Sequence, residues 1–447
     1  MAWKGLREFL AVLEERGELH RVDCEVDPDR EIAEITHRVC RNPHGGKGIL
    51  FNAVRGSSFP LVTNIFGSPE RMALALGITS LDALSPLMVE ILDRLHHSPA
   101  TPPLMAAFPP CREVIENSPD LTTLPLLRGW PEDGSVSGGG YLTLPVVCTA
   151  DSVTGVMNCG IYRVQVVGSD QALLGWYPGS DGDRHYRGYQ ESGRRMPVAI
   201  VLGGPPELIF MASFSLPGLP DEFSFAGLLR DEPLEVTRCL TSNLLVPASA
   251  EMVIEGYLEP GEMAVEGPFG NHTGFHAPAR PVPLLRVTAL TRRHNPIIPA
   301  TIVGPPPQED CWLAKGAERL MLPWLQRRHS GIVDIAMPLE TIFHRGTIVS
   351  VDSEKCGPVL ELIRRLWESG PLRRAKVLIV VDVDKNMDPA GVWWRAMNCC
   401  DWRRDLIFGD DGTLLGIDAT RKQEQGISLE RGTTAELVTQ RWQEYGL

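Results

Sequence analysis

Between residues 141 and 292 the chain is a succession of short apolar or alternating runs parted by turn residues. They occupy 141–149, 160–167, 198–202, 208–212, 252–258 and 284–292. Runs of this length are strands by preference, because a helix needs a longer periodic stretch to bury a face. The chain holds 43 glycines and 37 prolines, which punctuate such runs with turns and disfavour a helical bundle. Within this stretch only 223–229 reads as a helix. The middle of the chain is therefore expected to be a mostly antiparallel sandwich or barrel.

The flanks read differently. Leu6, Phe9, Leu10 and Leu13 fall on one helical face, ended near Gly17. Residues 31–39 form a second amphipathic stretch that stops before Asn42-Pro43. Short strands are expected at 49–51 and 61–62, and Ser68-Pro69-Glu70 starts a helix with proline in its first turn. The proline-rich stretch 99–110 reads as a linker. In the last third, 315–328 and 356–369 are helical in pattern, and another helix begins at 393–398. The run KVLIVVD (376–382) is apolar almost throughout, as in a parallel sheet covered on both faces. The expected fold is multi-domain α+β: an N-terminal α/β unit (1–110), a central β unit (111–312) and a C-terminal α/β unit (313–447).

Several classes of function fall away. A net charge of −13 lacks the basic field that non-specific nucleic-acid binding requires. The opening MAWKGLREFLAVLEERGEL is charged every few residues, with no secretory apolar core, and no window is long and apolar enough to span a membrane. The ten cysteines are scattered, without a CxxC pair, which fits reduced thiols in a cytoplasmic protein.

Chemistry-bearing residues concentrate in four segments. In MNCGIYRVQ (157–165), Arg163 lies inside an apolar run and needs an anionic partner, either as a structural ion pair or as a fork for a carboxylate or phosphate. SDGDRHY (180–186) reads as a polar loop carrying His185. In PDEFSFAG (220–227), Asp221 and Glu222 suit the first turn of a helix. AVEGPFGNHTGFH (264–276) holds Glu266, Asn271, His272 and His276 among glycines that let backbone approach a ligand closely. Those glycines argue against a helical metal pair of His272 and His276. A carboxylate beside a Gly-Pro turn is placed to act as general acid or base.

Taken together, these segments resemble the UbiD family of decarboxylases. The resemblance runs nearly end to end, through LREFLAVLEERGEL (6–19), MNCGIYR (157–163), EGPFGNHTG (266–274), GPPPQE (304–309), VVDVD (380–384) and GIDATRK (416–422). It implies an N-terminal α/β domain, a central split β-barrel that binds flavin, and a C-terminal α/β domain used for assembly into a homodimer or homohexamer. It also implies prenylated FMN as cofactor, supplied by a prenyl-FMN synthase, and an aromatic or α,β-unsaturated acid as substrate. Asn158, His185 and Glu222 match the family's divalent-metal ligands, which hold the cofactor phosphate. One amide oxygen, one imidazole and one carboxylate suit Mn²⁺ or Mg²⁺ better than structural zinc. A potassium ion nearby is also implied. Arg163 and Glu266 match catalytic positions, and Gln165 falls among the cofactor-binding ones.

Two positions depart from the family pattern. Asn271 stands where members carry Glu or Asp, and an amide has no acidic proton to give. Glu266, His272 or a water would have to donate instead. Asp352 and Glu354 stand where a phosphate-binding lysine is usual, leaving Lys355 as the nearby substitute. The expected activity is non-oxidative, reversible decarboxylation of an aromatic or heteroaromatic acid. The alternatives are an assembly-dependent subunit of a carboxylase complex and a plain FMN oxidoreductase.

Overall fold

The computed structural model describes residues 3–368, 370–373, 375–382, 388–422 and 432–446. Its largest element is an open, wholly antiparallel sheet of nine strands. From one edge the order is Gly140–Leu142, Val164–Val166, Gln171–Leu174, Arg280–Arg292, Met252–Glu266, Met196–Leu202, Val146–Ala150 and Met157–Ile161. Val114–Glu116 pairs with the far end of Arg280–Arg292. The sheet curls without closing, as an antiparallel split barrel does.

A four-stranded mixed sheet lies on the N-terminal side. Leu19–Val26 runs parallel to Gly48–Val54, which pairs antiparallel with Leu61–Thr63. Its last strand, Ile298–Pro299, comes from far along the chain and runs parallel to Leu61–Thr63. The C-terminal sheet has five strands, with Val377–Asp382 at its centre between parallel neighbours, as its continuous apolar run requires. One apolar core runs through all three regions, from Trp3 and Phe9 through Phe223 to Leu362 and Ile407.

The amphipathic helices appear as expected at Leu6–Glu15 and Glu31–Cys40, and Ser68 caps Pro69–Ala75 by accepting from the Arg71 amide. The helix expected at 356–369 occupies Val359–Glu368; Ser369 lies outside the described residues, as do Val383 and Asp384 of VVDVD.

Other assignments change. Residues 208–212 are not a strand but part of the helix Pro206–Met211, buried on every side. A short apolar run cannot distinguish a buried helix from a buried strand, and Pro206 at the first turn is the signal that decides it. The polar loop expected at 180–186 is the start of the helix Asp181–Glu191, capped by Ser180. The runs 141–149 and 160–167 each divide into two strands, the first broken before Pro145 and the second at Tyr162–Arg163. The linker 99–110 contributes the short strand Leu104–Met105, parallel to Glu235–Arg238.

The buried helix carries an unusual group. Glu207 is fully buried, takes one hydrogen bond from the Trp3 amide, and its other oxygen has no partner. Burial pushes its carboxyl up to about 7, against the opposing pull of Arg230. A carboxyl raised this way contributes stability below about pH 4.3, its solvated value, and loses it as pH rises through 7. The loss amounts to about 3–4 kcal/mol. Glu207→Gln is therefore expected to hold its stability between pH 5 and 8 where the parent declines. Parallel denaturant curves for both proteins across that range would dismiss the idea.

Candidate active site

The break at Tyr162–Arg163 marks a change of partners. The chain leaves its pairing with Val146–Ala150 and takes up a new one with Gly140–Leu142 and Gln171–Leu174. Arg163 sits at that crossover. Its Nε and Nη2 donate to the two carboxylate oxygens of Glu266 at 2.6 and 2.8 Å. Glu266 ends the long strand Met252–Glu266 and is only 1 % exposed, so the charge is held inside the protein by a bidentate fork. Burial pulls the guanidinium down, but the hydrogen bonds and charge of Glu266 reverse this and leave it raised. The Phe269 ring lies against the guanidinium at 4.6 Å, and Tyr141 packs on Phe269 at 4.7 Å. The carboxylate beside the Gly-Pro turn is therefore clamped by two hydrogen bonds.

What holds the EGPFG segment in place is not legible in the sequence. Residues 129–141 bond the Pro268 carbonyl and the Gly270 amide within it. Asp133 accepts from the Gly270 amide at 2.7 Å and, on its other oxygen, from Gly129 and Trp130. The Gly134 amide and the Tyr141 hydroxyl both donate to the Pro268 carbonyl, and Ser137 donates to that of Val265. Gln165 completes the cradle, accepting from Gly267 and donating to the Gly138 carbonyl. Gly267 adopts a φ of 96°, open to glycine but strained for other residues. A Cβ on Gly270 would fall 2.1 Å from the Trp130 ring, so that approach also requires glycine. The Trp-Pro-Glu-Asp-Gly turn at 130–134 is the available signal, but nothing in it names a partner in a segment so far along the chain.

Asn158, His185 and Glu222 converge on the edge strand Met157–Ile161. Asn158 faces Thr149 across the ladder, and the Thr149 hydroxyl lies 3.3 Å from the Asn158 amide and 2.9 Å from His185 Nδ1. His185 reaches it from the helix Asp181–Glu191, and burial lowers its pKa, favouring the neutral imidazole. The tautomer in which Nδ1–H donates to Thr149 leaves the Nε2 lone pair on the other side of the ring for a ligand. Glu222 opens the helix Glu222–Arg230 and accepts from the Cys159 amide at 2.8 Å. Burial pushes its carboxyl up to about 7, only partly opposed by that amide, and the charges of Asp181 and Asp221 raise it further. The Asp181 carboxylate is met by Arg184 at 2.5 Å, and a carboxylate beside a neutral imidazole and an amide is a donor set that fits a hard divalent ion. Among the described residues no three His, Cys, Asp or Glu side chains gather as a metal site. Of the three expected ligands, only His185 and Glu222 are of these types, and Asn158 is an amide.

The remaining expected residues lie further apart. Asn271 Oδ1 accepts from the Thr273 amide and hydroxyl, an Asx turn that occupies its carbonyl oxygen. His272 turns toward the C-terminal region, with Nδ1 3.9 Å from Asp310 and its ring 4.9 Å from that of His344. Lys355 is exposed on a turn and pairs with Asp352 at 2.6 Å. One residue carries no signal in the sequence. Arg280 stands opposite Glu266 in the ladder, and opposed residues share a face. Among the described residues its one side-chain hydrogen bond goes to the Trp176 carbonyl.

Three family patterns match the chain: the 3-octaprenyl-4-hydroxybenzoate carboxy-lyase N-terminal domain over 10–91, its Rift-related domain over 105–306 and its C-terminal domain over 311–433. An uncharacterised protein of Archaeoglobus fulgidus is 38% identical over 96% of this chain and 94% of its own. Among solved structures, the UbiD-class enzyme HmfF of Pelotomaculum thermopropionicum, in complex with prenylated FMN, is 27% identical. It covers 97% of this chain and 98% of its own, with a TM-score of 0.84. The vanillic acid decarboxylase of Sedimentibacter hydroxybenzoicus, in its closed form, is 26% identical, covering 100% of this chain and 99% of its own. Its TM-score is 0.89, whereas the open form scores 0.80.

Proposed function

The chain belongs to the UbiD family of carboxy-lyases, and from that premise we propose that it decarboxylates an aromatic or heteroaromatic acid with prenylated FMN. The observation that carries the reading is the buried Arg163–Glu266 fork. A plain FMN oxidoreductase has no use for a buried carboxylate clamped in one orientation, whereas a decarboxylase needs a positioned proton carrier.

Each protein group then has a task. The prenylated flavin, when bound, supplies an electron sink for the pair left on carbon as CO₂ departs. Asn158, His185 and Glu222 would hold a Mn²⁺ or Mg²⁺ ion, whose charge would anchor the flavin phosphate. Arg163 orients Glu266 through its two hydrogen bonds. Glu266 carries the proton to and from the reacting carbon. Asn271 cannot do so, because its amide has no acidic proton and its oxygen is taken by Thr273. The Arg163–Glu266 pair is neutral overall, so Arg280 on the same face supplies the net positive charge that draws in an acid. Residues 313–447 serve assembly of the homo-oligomer.

The test is to co-express the chain with a prenyl-FMN synthase, purify it without oxygen, and measure bound-flavin mass and absorbance. H/D exchange at the decarboxylated carbon is then followed across a panel of aromatic acids. Prenylated FMN and exchange on at least one acid are expected; plain FMN or none would end the proposal. Glu222→Ala is expected to lose both metal and flavin. Full manganese occupancy in that variant would remove Glu222 from the ligand set.

A further inference from the structure

Cys148 and Cys159 face each other across the edge strand that carries Asn158 and its neighbour that carries Thr149. They are ladder partners on Val146–Ala150 and Met157–Ile161, and their sulfurs lie 3.3 Å apart. Both are buried and neither is in a disulfide. The hydrogen-bond pattern defines the kind of pair they form. Met157–Ile161 is the last strand of the sheet, and the Cys159 amide donates outward, to Glu222, rather than back to Cys148. The two residues therefore make a non-hydrogen-bonded antiparallel pair, in which α-carbons approach to about 4.5 Å and side chains come closest. That separation lies within the range a disulfide spans, about 4.4–6.8 Å. Closing the sulfurs to a bond of about 2.05 Å asks for little more than side-chain rotation.

We propose that Cys148 and Cys159 are a two-electron redox site, forming a cross-strand disulfide when the folded protein meets a peroxide. One thiolate attacks the peroxide, the O–O bond breaks, and a sulfenic acid and one water result. The second sulfur then displaces the hydroxyl, which leaves as a second water. The S–S bond forms, both thiols have lost their hydrogens, and the peroxide has been reduced to two waters. The bond staples the edge strand that holds Asn158, one residue from Cys159, to the strand that holds Thr149. Both thiols are buried, which slows the reaction.

The experiment needs no turnover and is independent of the flavin assignment. The native protein is treated with hydrogen peroxide, unfolded in an alkylating agent without reductant, and mapped by mass spectrometry. Two of the ten cysteines should escape alkylation, in one cross-linked peptide pair joining 148 to 159, and dithiothreitol should restore both. Cys148→Ser should abolish the cross-link and leave Cys159 trapped by a sulfenic-acid reagent. Full alkylation of both after treatment, or a disulfide confined to other cysteines such as Cys399 and Cys400, would overturn the proposal.

Discussion

Glu266→Gln is expected to lower turnover by about 10²–10⁴-fold, the usual contribution of a positioned general acid or base. The substitution keeps shape and one acceptor oxygen but removes the group that carries the proton. The flavin should stay bound, because Asn158, His185 and Glu222 lie on another strand and two helices, and among the described residues none of their hydrogen bonds reaches Glu266. The measurement is single-turnover decarboxylation beside bound-flavin mass on the same preparation. Turnover within a few-fold of the parent would remove Glu266 from the proton path. Lost flavin would instead mean a structural role in the cradle.

The second large effect is on stability. Arg163→Met removes the partner of a carboxylate that is 1 % exposed, leaving an uncompensated buried charge. Breaking a buried pair on one side costs about 3–5 kcal/mol. The thermal midpoint should fall, and it should recover in the double variant Arg163→Met/Glu266→Gln, where no charge remains to be desolvated. A double variant no more stable than Arg163→Met would show that the loss comes from packing against Phe269 rather than from charge.

The two predictions rest on a pair separated by 103 residues, which explains what the sequence could show. That Arg163 needed an anion followed from one apolar run; that the anion is Glu266 did not, because two strands lie between their own in the sheet. Only the family resemblance joined them. Local signals served well where the structure is local: the helix Leu6–Glu15, the cap at Ser68 and the apolar strand Val377–Asp382. They failed at Pro206–Met211, where complete burial erased the periodicity. They were silent about Asp133 and Gln165, whose side chains satisfy the backbone of a distant loop. Such bonds leave no periodic or compositional trace, since any turn can hold an Asp and any strand a Gln.

The strand Ile298–Pro299 closes the edge of a sheet begun at Leu19. During synthesis, then, Leu61–Thr63 waits with an open side until residue 298 has emerged from the ribosome. An unpaired edge held open that long invites the wrong partner. The N-terminal region is thus the first to be translated and among the last to be finished. A chain stalled or cut before Ile298 would present its neighbours with a β-edge that the complete protein never shows.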